Sequence, residues 1–227
     1  MKNGFDRRRF LLGVTPVATV TLGLTRAKED NVKPSDYAPT FFNAAEWLFL
    51  NAAVGRLIPA EGGGPGAVEV GVPEFIDRQM EMPYGHGAYF YMQGPFDTNA
   101  IASLGYQLRY TPREIYRLGI KAANDIVQKL HERDFVRLAV ADQDHFLGAM
   151  ERNELHFSEV PASVFFGQLL GNTKEGYFSD PLYGGNRGLA AWKWIGFPGA
   201  RADFTDWLDQ AGRAYPYGPV SISGARG

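Results

Sequence analysis

Along most of the chain, apolar and polar positions alternate with a helical period, not an extended one. Asn43-x-x-Glu46 has the form of a capping box, and Phe42 stands where it could staple onto Trp47. Trp47, Leu50, Val54 and Leu57 then recur at helical spacing up to Pro59, which predicts a first helix from Asn43 to Ile58 with one buried face. Glu46 therefore reads as a cap and not as a catalytic acid. Pro73 opens a second helix that carries Phe75, Ile76 and Met80. Thr111-Pro112-Arg113-Glu114 is another capping box with proline at the first helical position, and Ile115, Leu118, Ala122, Ile126 and Leu130 mark an inward side as far as Glu132. Val140–Glu151 is amphipathic, with Phe146, Leu147 and Met150 inward, and an apolar helix opened by Pro161 spans Val160–Leu170. Phe204–Gln210, with Trp207, predicts a short closing helix, and Tyr215–Gly227 an irregular tail.

Few stretches alternate with period two, so the expected fold is mainly α: a compact helical domain with long Gly-, Pro- and aromatic-rich loops and little or no sheet. The 27 glycines and 14 prolines supply those irregular connections, and 14% aromatic content argues that they are packed. The fullest of them is Gly176–Gly199. It mixes the turn formers Asp180-Pro181, Gly184-Gly185-Asn186 and Pro198-Gly199 with Tyr177, Phe178, Tyr183, Trp192, Trp194 and Phe197. Such a segment reads as an ordered loop, and that much aromatic surface must be covered by the chain's own core or by a partner.

The N-terminal residues add compartment to the picture. Arg7-Arg8-Arg9-Phe10-Leu11-Leu12 precedes a mostly apolar run to Leu24, too short for a comfortable membrane span of about 20 residues. This layout predicts an export signal over 1–27 and resembles the twin-arginine type, with Arg7 and Arg8 as the pair followed by Phe10 and Leu11. Residues 28–40 read as a polar linker and 41–227 as a single helical domain. The expected location is the periplasm.

Searching for chemistry narrows the function by exclusion. A net charge of -2 without a basic stripe excludes nucleic acid as a partner. With no cysteine the chain cannot form a disulfide, attach c-type haem covalently or bind a metal through thiolates. Gly62-Gly63-Gly64-Pro65-Gly66 lacks the following Lys-Ser/Thr of a phosphate loop. No Gly-x-Gly-x-x-Gly follows a strand, and no Gly-x-Ser-x-Gly elbow occurs. His86 lies in a second aromatic loop, Tyr84–Phe96, and reads as a surface or packing residue. Asp142-x-x-His145 places a carboxylate and an imidazole on one helical face, but no second copy completes a bridged metal site. Asp180 before Pro181 is expected to set a turn. The residues present no catalytic constellation, and catalytic, cofactor and metal sites are all expected to be absent from this chain.

The run Glu175-Gly-Tyr-Phe-Ser-Asp-Pro-Leu-Tyr-Gly-Gly-Asn186, continued by Trp192 and Ile195-Gly-Phe-Pro-Gly199, resembles the small-subunit family of gluconate 2-dehydrogenase, its subunit 3 or gamma chain. The likeness extends upstream through Phe41-Phe-Asn-Ala-Ala-Glu-Trp47, Arg56-Leu-Ile-Pro59, Gly71-Val-Pro-Glu-Phe-Ile-Asp77 and Tyr91-Met-Gln-Gly-Pro-Phe96, in the family's order. Asn43 departs from the commoner Thr or Ser, and both alternatives also cap helices.

The resemblance implies a small subunit beside a large FAD-containing dehydrogenase that oxidises gluconate or a related polyol or sugar acid, and a multi-haem cytochrome c that passes electrons to the respiratory chain. FAD and haem c would belong to those partners, and the complex would lie at the inner membrane. This chain would carry its folded flavoprotein partner through the twin-arginine machinery and stabilise it. Binding would then concentrate in a few aromatics, for which Tyr91, Tyr183, Trp192 and Trp194 are the candidates, with packing inside the chain's own core open for each of them. An alternative is a free-standing periplasmic protein whose aromatic loops stack on a sugar acid, and a third is an enzyme centred on His86 or His145.

Overall fold

The computed structural model describes residues 36–97, 100–104 and 106–227, all within one unit that spans Val32–Gly227. Arg7, Arg8, Phe10 and Leu11 of the expected leader, and most of the linker, lie outside the described residues. Among the described residues there are six α-helices: α1 Ala44–Leu57, α2 Val72–Glu81, α3 Pro112–His131, α4 Val140–Glu151, α5 Ala162–Phe178 and α6 Ala190–Ile195. Pairing of extended backbone is limited, among the same residues, to isolated bridges of Val220 with Gly199 and with Arg226. The fold is thus helical without a sheet among those residues, as the periodicity implied.

Both capping boxes form. The Asn43 side chain accepts from the Glu46 amide at 3.0 Å, and Glu46 accepts from the Asn43 amide at 3.0 Å. Glu114 likewise accepts from the Thr111 amide at 2.7 Å and from its hydroxyl at 2.8 Å. The expected staple takes another form. Phe42 turns edge-on to Tyr116 at 5.4 Å, while Trp47 meets Tyr37 at 6.0 Å, so α1 buries Phe49, Leu50, Ala53 and Val54 and leaves Trp47 and Leu57 at the margin.

α5 is the element on which the others converge, with α1, α2, α3, α4 and α6 all packed against it. Its Phe165 is fully buried among Phe49, Tyr116 and Phe157, with ring centroids 6.0 to 6.5 Å away. α3 approaches it with a glycine: a Cβ on Gly119 would lie 2.3 Å from the Phe165 ring. This close approach rotates α3 relative to the sequence expectation. Ile115 is inward as expected, but the buried stripe continues through Tyr116, Gly119, Ile120, Ala123 and Val127, and Leu130 is exposed. A rule that counts only large apolar residues misses a face whose centre is a glycine.

Candidate functional site

α5 runs past Leu170 to Phe178, so the first turn of the expected Gly176–Gly199 loop is helical. Short 3-10 turns at Pro181–Tyr183 and Arg187–Leu189 follow, and then α6. The local sequence explains each break. Asp180 accepts from the Leu182 amide at 3.0 Å, setting the Asp-Pro turn as expected, and its second oxygen accepts from the Ile222 amide at 2.7 Å, tying the C-terminal tail to the segment. Asn186 adopts a left-handed conformation, is fully buried, donates to the Ser179 carbonyl at 3.0 Å and accepts from the Ala191 amide at 2.9 Å. One side chain therefore joins the end of α5 to the first turn of α6.

The segment is also fastened to α2. The Arg187 amide donates to the Val70 carbonyl at 2.9 Å, and its guanidinium donates to Glu74 at 2.9 Å. Glu74 pairs at the same time with Arg78 at 2.5 Å. The Tyr177 hydroxyl donates to the Pro65 carbonyl at 2.8 Å, and burial, then the charge of Glu69, push this phenol's pKa up. Buried polar groups with satisfied partners hold the segment in one shape.

Much of what this scaffold presents outward is apolar. Phe178, Leu182, Tyr183, Trp194, Ile195 and Phe197 remain 44 to 54% exposed. Singly exposed apolar residues need no explanation, but six fall within this one hydrogen-bonded segment of residues 178–197.

The four candidate aromatics separate on this geometry. Trp192 is only 6% exposed, donates its indole N–H to the Phe178 carbonyl at 2.8 Å and meets Phe197 edge-on at 4.9 Å, so it packs inside the chain. Trp194 is 54% exposed and lies over the glycine-rich turn, where a Cβ on Gly64 would come within 3.0 Å of its indole. Close packing beneath this tryptophan thus accounts for part of the Gly62–Gly66 run. Tyr183 is exposed on the Pro181–Tyr183 turn. Tyr91 is 70% exposed in the connection between α2 and α3, and among the described residues no hydrogen bond or ring contact joins it to the other three.

The titratable candidates do not assemble. His86 is exposed beside Arg113, whose Nη1 lies 2.6 Å from its Nε2. Asp142 and His145 are exposed on α4, and the helix's engaged carboxylate is Asp144, in a paired contact with Arg56 at 2.7 and 2.8 Å. Among the described residues no group of three or more His, Cys, Asp or Glu side chains is placed to hold a metal ion, and no helix is long and apolar enough to cross a membrane.

Sequence reasoning missed Asp77, Asn186 and the Glu74–Arg187 pair. Asn186 follows two glycines and reads as a turn residue. Its complete burial depends on α6 folding back over it, which no local pattern announces.

Comparison with known proteins adds one positive finding. The family model described as gluconate 2-dehydrogenase subunit 3 matches residues 44–199, from the start of α1 to the end of the signature segment. No curated protein and no solved structure matches the chain.

Proposed function

Because this chain belongs to the gluconate 2-dehydrogenase subunit 3 family and is thereby a small subunit of a multi-subunit dehydrogenase, we propose that it binds the complex's large FAD-containing subunit and takes it through twin-arginine export to the periplasm. A multi-haem cytochrome c completes the complex at the inner membrane in this reading, and FAD and haem c reside in the partners. The observation that carries the proposal is the set of six half-exposed apolar side chains within residues 178–197, on a scaffold of internal hydrogen bonds. A rigid, partly desolvated aromatic surface loses little conformational entropy on binding and suits a lasting subunit contact. The leader supports the second half, since the twin-arginine route accepts folded cargo and this chain would supply the signal for a folded partner.

The role of this chain's own residues is then positional. Trp194, Tyr183 and the apolar side chains beside them form the contact, while Asp180, Asn186 and Arg187 hold it in place. The test is a double replacement, Arg7→Lys with Arg8→Lys, which keeps the charge and removes the arginine pair. Both this chain and the flavoprotein are expected to remain in the cytoplasm, measured by fractionation and dehydrogenase activity. Normal periplasmic flavoprotein activity in the double variant would refute the carrier role and leave the subunit assignment standing.

A further inference from the structure

Asp77 is fully buried near the middle of α2, where a lone carboxylate would be costly. It is not alone. One oxygen accepts from the Tyr37 hydroxyl at 2.7 Å, the Thr40 amide at 2.8 Å and the Thr40 hydroxyl at 3.0 Å. The other accepts from the amides of Phe41 at 3.1 Å and Phe42 at 2.9 Å. These five donors belong to residues 37–42, which run from the end of the expected linker toward α1.

Two further helices hold the same stretch. From α3, Arg117 donates to the Phe41 carbonyl at 2.5 Å and pairs with Glu46 of α1, while Arg113 and Arg117 lie 4.8 and 4.2 Å from the centre of the Phe41 ring. Tyr37 rests between Trp47 of α1 at 6.0 Å and Arg78 of α2 at 5.6 Å. Burial, and then the Asp77 carboxylate, push the Tyr37 phenol up to about 12. The clamped stretch precedes the family-matched residues 44–199, whereas Glu46, Asp77, Arg113 and Arg117 all lie inside them.

The Met82–Thr111 connection separates α2 from α3 in sequence, so the full set of contacts on this stretch exists only after α2, through Asp77, and α3, through Arg113 and Arg117, have each closed on it. Before that, these contacts are not made, and the linker runs on through Phe42. We propose that the Asp77 clamp makes the root of the export leader report on folding: with α1, α2 and α3 assembled, Phe41 and Phe42 are buried and the backbone of the junction is held against cleavage, and without that assembly Tyr37, Phe41 and Phe42 are open to cleavage that removes the leader. Chains that have not folded would lose their address before reaching the translocation machinery. The inference rests on the leader reading above and adds a check on which molecules keep the leader.

The test uses the full chain. Asp77→Asn removes the charge and turns an amide N–H₂ toward groups that are themselves donors, and Tyr37→Phe with Thr40→Val removes two donors from the junction while leaving every helix intact. Limited digestion by chymotrypsin, which cuts after aromatic residues, should open the 37–42 stretch about tenfold faster in both variants, with unchanged cutting elsewhere. In cells, the leader-bearing pool and the exported flavoprotein should both fall. If Asp77→Asn does not fold, the Tyr37/Thr40 variant decides. Unchanged cleavage of the junction, or faster cleavage with export undiminished, overturns the proposal. Export that survives the Arg7/Arg8 replacement removes the leader reading and the clamp's role with it. Export that is lost there but intact in the clamp variants overturns the clamp alone.

Discussion

Trp192 and Trp194 are two residues apart on α6, share a chemistry and are predicted to fail in opposite ways when truncated. Trp192→Ala empties a buried site and strands the Phe178 carbonyl that its indole N–H satisfies. Burying a tryptophan removes about 150–250 Å² from water. At about 25 cal/mol per Å² that corresponds to roughly 4–6 kcal/mol as an upper estimate, consistent with the roughly 3–5 kcal/mol observed for large aromatic truncations in cores. For a domain of this size each kcal/mol shifts Tm by about 2–4 °C, so the expected loss is about 6–20 °C. Trp194→Ala uncovers only the Gly63-Gly64 turn and a ring that is already half in solvent, so Tm should move by less than about 4 °C. Its cost should instead appear in association with the flavoprotein, on the order of 2 kcal/mol, or about thirtyfold in Kd. Thermal unfolding of each isolated variant, paired with titration against the wild-type flavoprotein, reads both quantities. An unshifted Tm for Trp192→Ala would refute the internal-packing assignment, and undiminished binding by Trp194→Ala would remove the central residue of the proposed contact face.

Two predictions concern the scaffold. Gly119→Ala should destabilise by about 1–3 kcal/mol, because its methyl meets a Phe165 ring boxed in by three other rings, whereas Gly167→Ala, with no atom near its Cβ on the neighbouring helix, should stabilise by up to about 1 kcal/mol through helix propensity. Urea unfolding of the two variants tests this, and shifts of the same sign would contradict the packing argument. Alkaline titration tests Tyr37 and Tyr106, whose folded pKa values are raised from 10.0 to about 12, by burial first and then by Asp77 and Glu114 respectively. A raised folded value means the unfolded chain releases the proton first, so the stabilising contribution is complete below pH 10 and is lost as pH climbs toward 12. Replacing both tyrosines by Phe should flatten unfolding in that window, followed by circular dichroism against pH.

Helix positions were legible because the signals for them are local. Capping boxes at Asn43 and Thr111, proline at the start of α2 and α3, and the spacing within Val140–Glu151 all act within one or two turns. Which face of a helix turns inward depends on its neighbours, and in α3 the observed stripe lies one position from the periodic one, because Gly119 sits at its centre and Leu130 is exposed. The aromatic segment was recognisable by composition as ordered and in need of cover. Composition did not distinguish Trp192 from Trp194, because six residues of helix give each ring its own side and only the fold-back across Phe178 decides which is enclosed. Asp77 was invisible for a related reason: its five donors lie 35 to 40 residues upstream, and a carboxylate in an amphipathic helix ordinarily faces water.

The signature segment departs in part from the usual distribution of residue types: Tyr177, Leu189 and Trp192 are buried, but so are polar anchors, and six large apolar side chains stay about half exposed. Its Asn186 and Asp180 are buried and bonded inward, and Arg187 reaches across to Glu74, while its Phe178, Leu182, Tyr183, Trp194, Ile195 and Phe197 look out. Hydrophobic burial alone would drive such a segment to collapse the other way, since each large apolar side chain gains roughly 1.5–3 kcal/mol on leaving water. The polar anchors oppose that collapse because releasing any of them would leave a buried donor or acceptor unpaired, at about 1–3 kcal/mol for each group. The free chain is thereby held in a conformation that leaves hydrophobic gain unrealised, which a covering surface would recover in the proposed complex. In the proposed complex, a partner that binds only the folded form would raise this chain's stability by mass action.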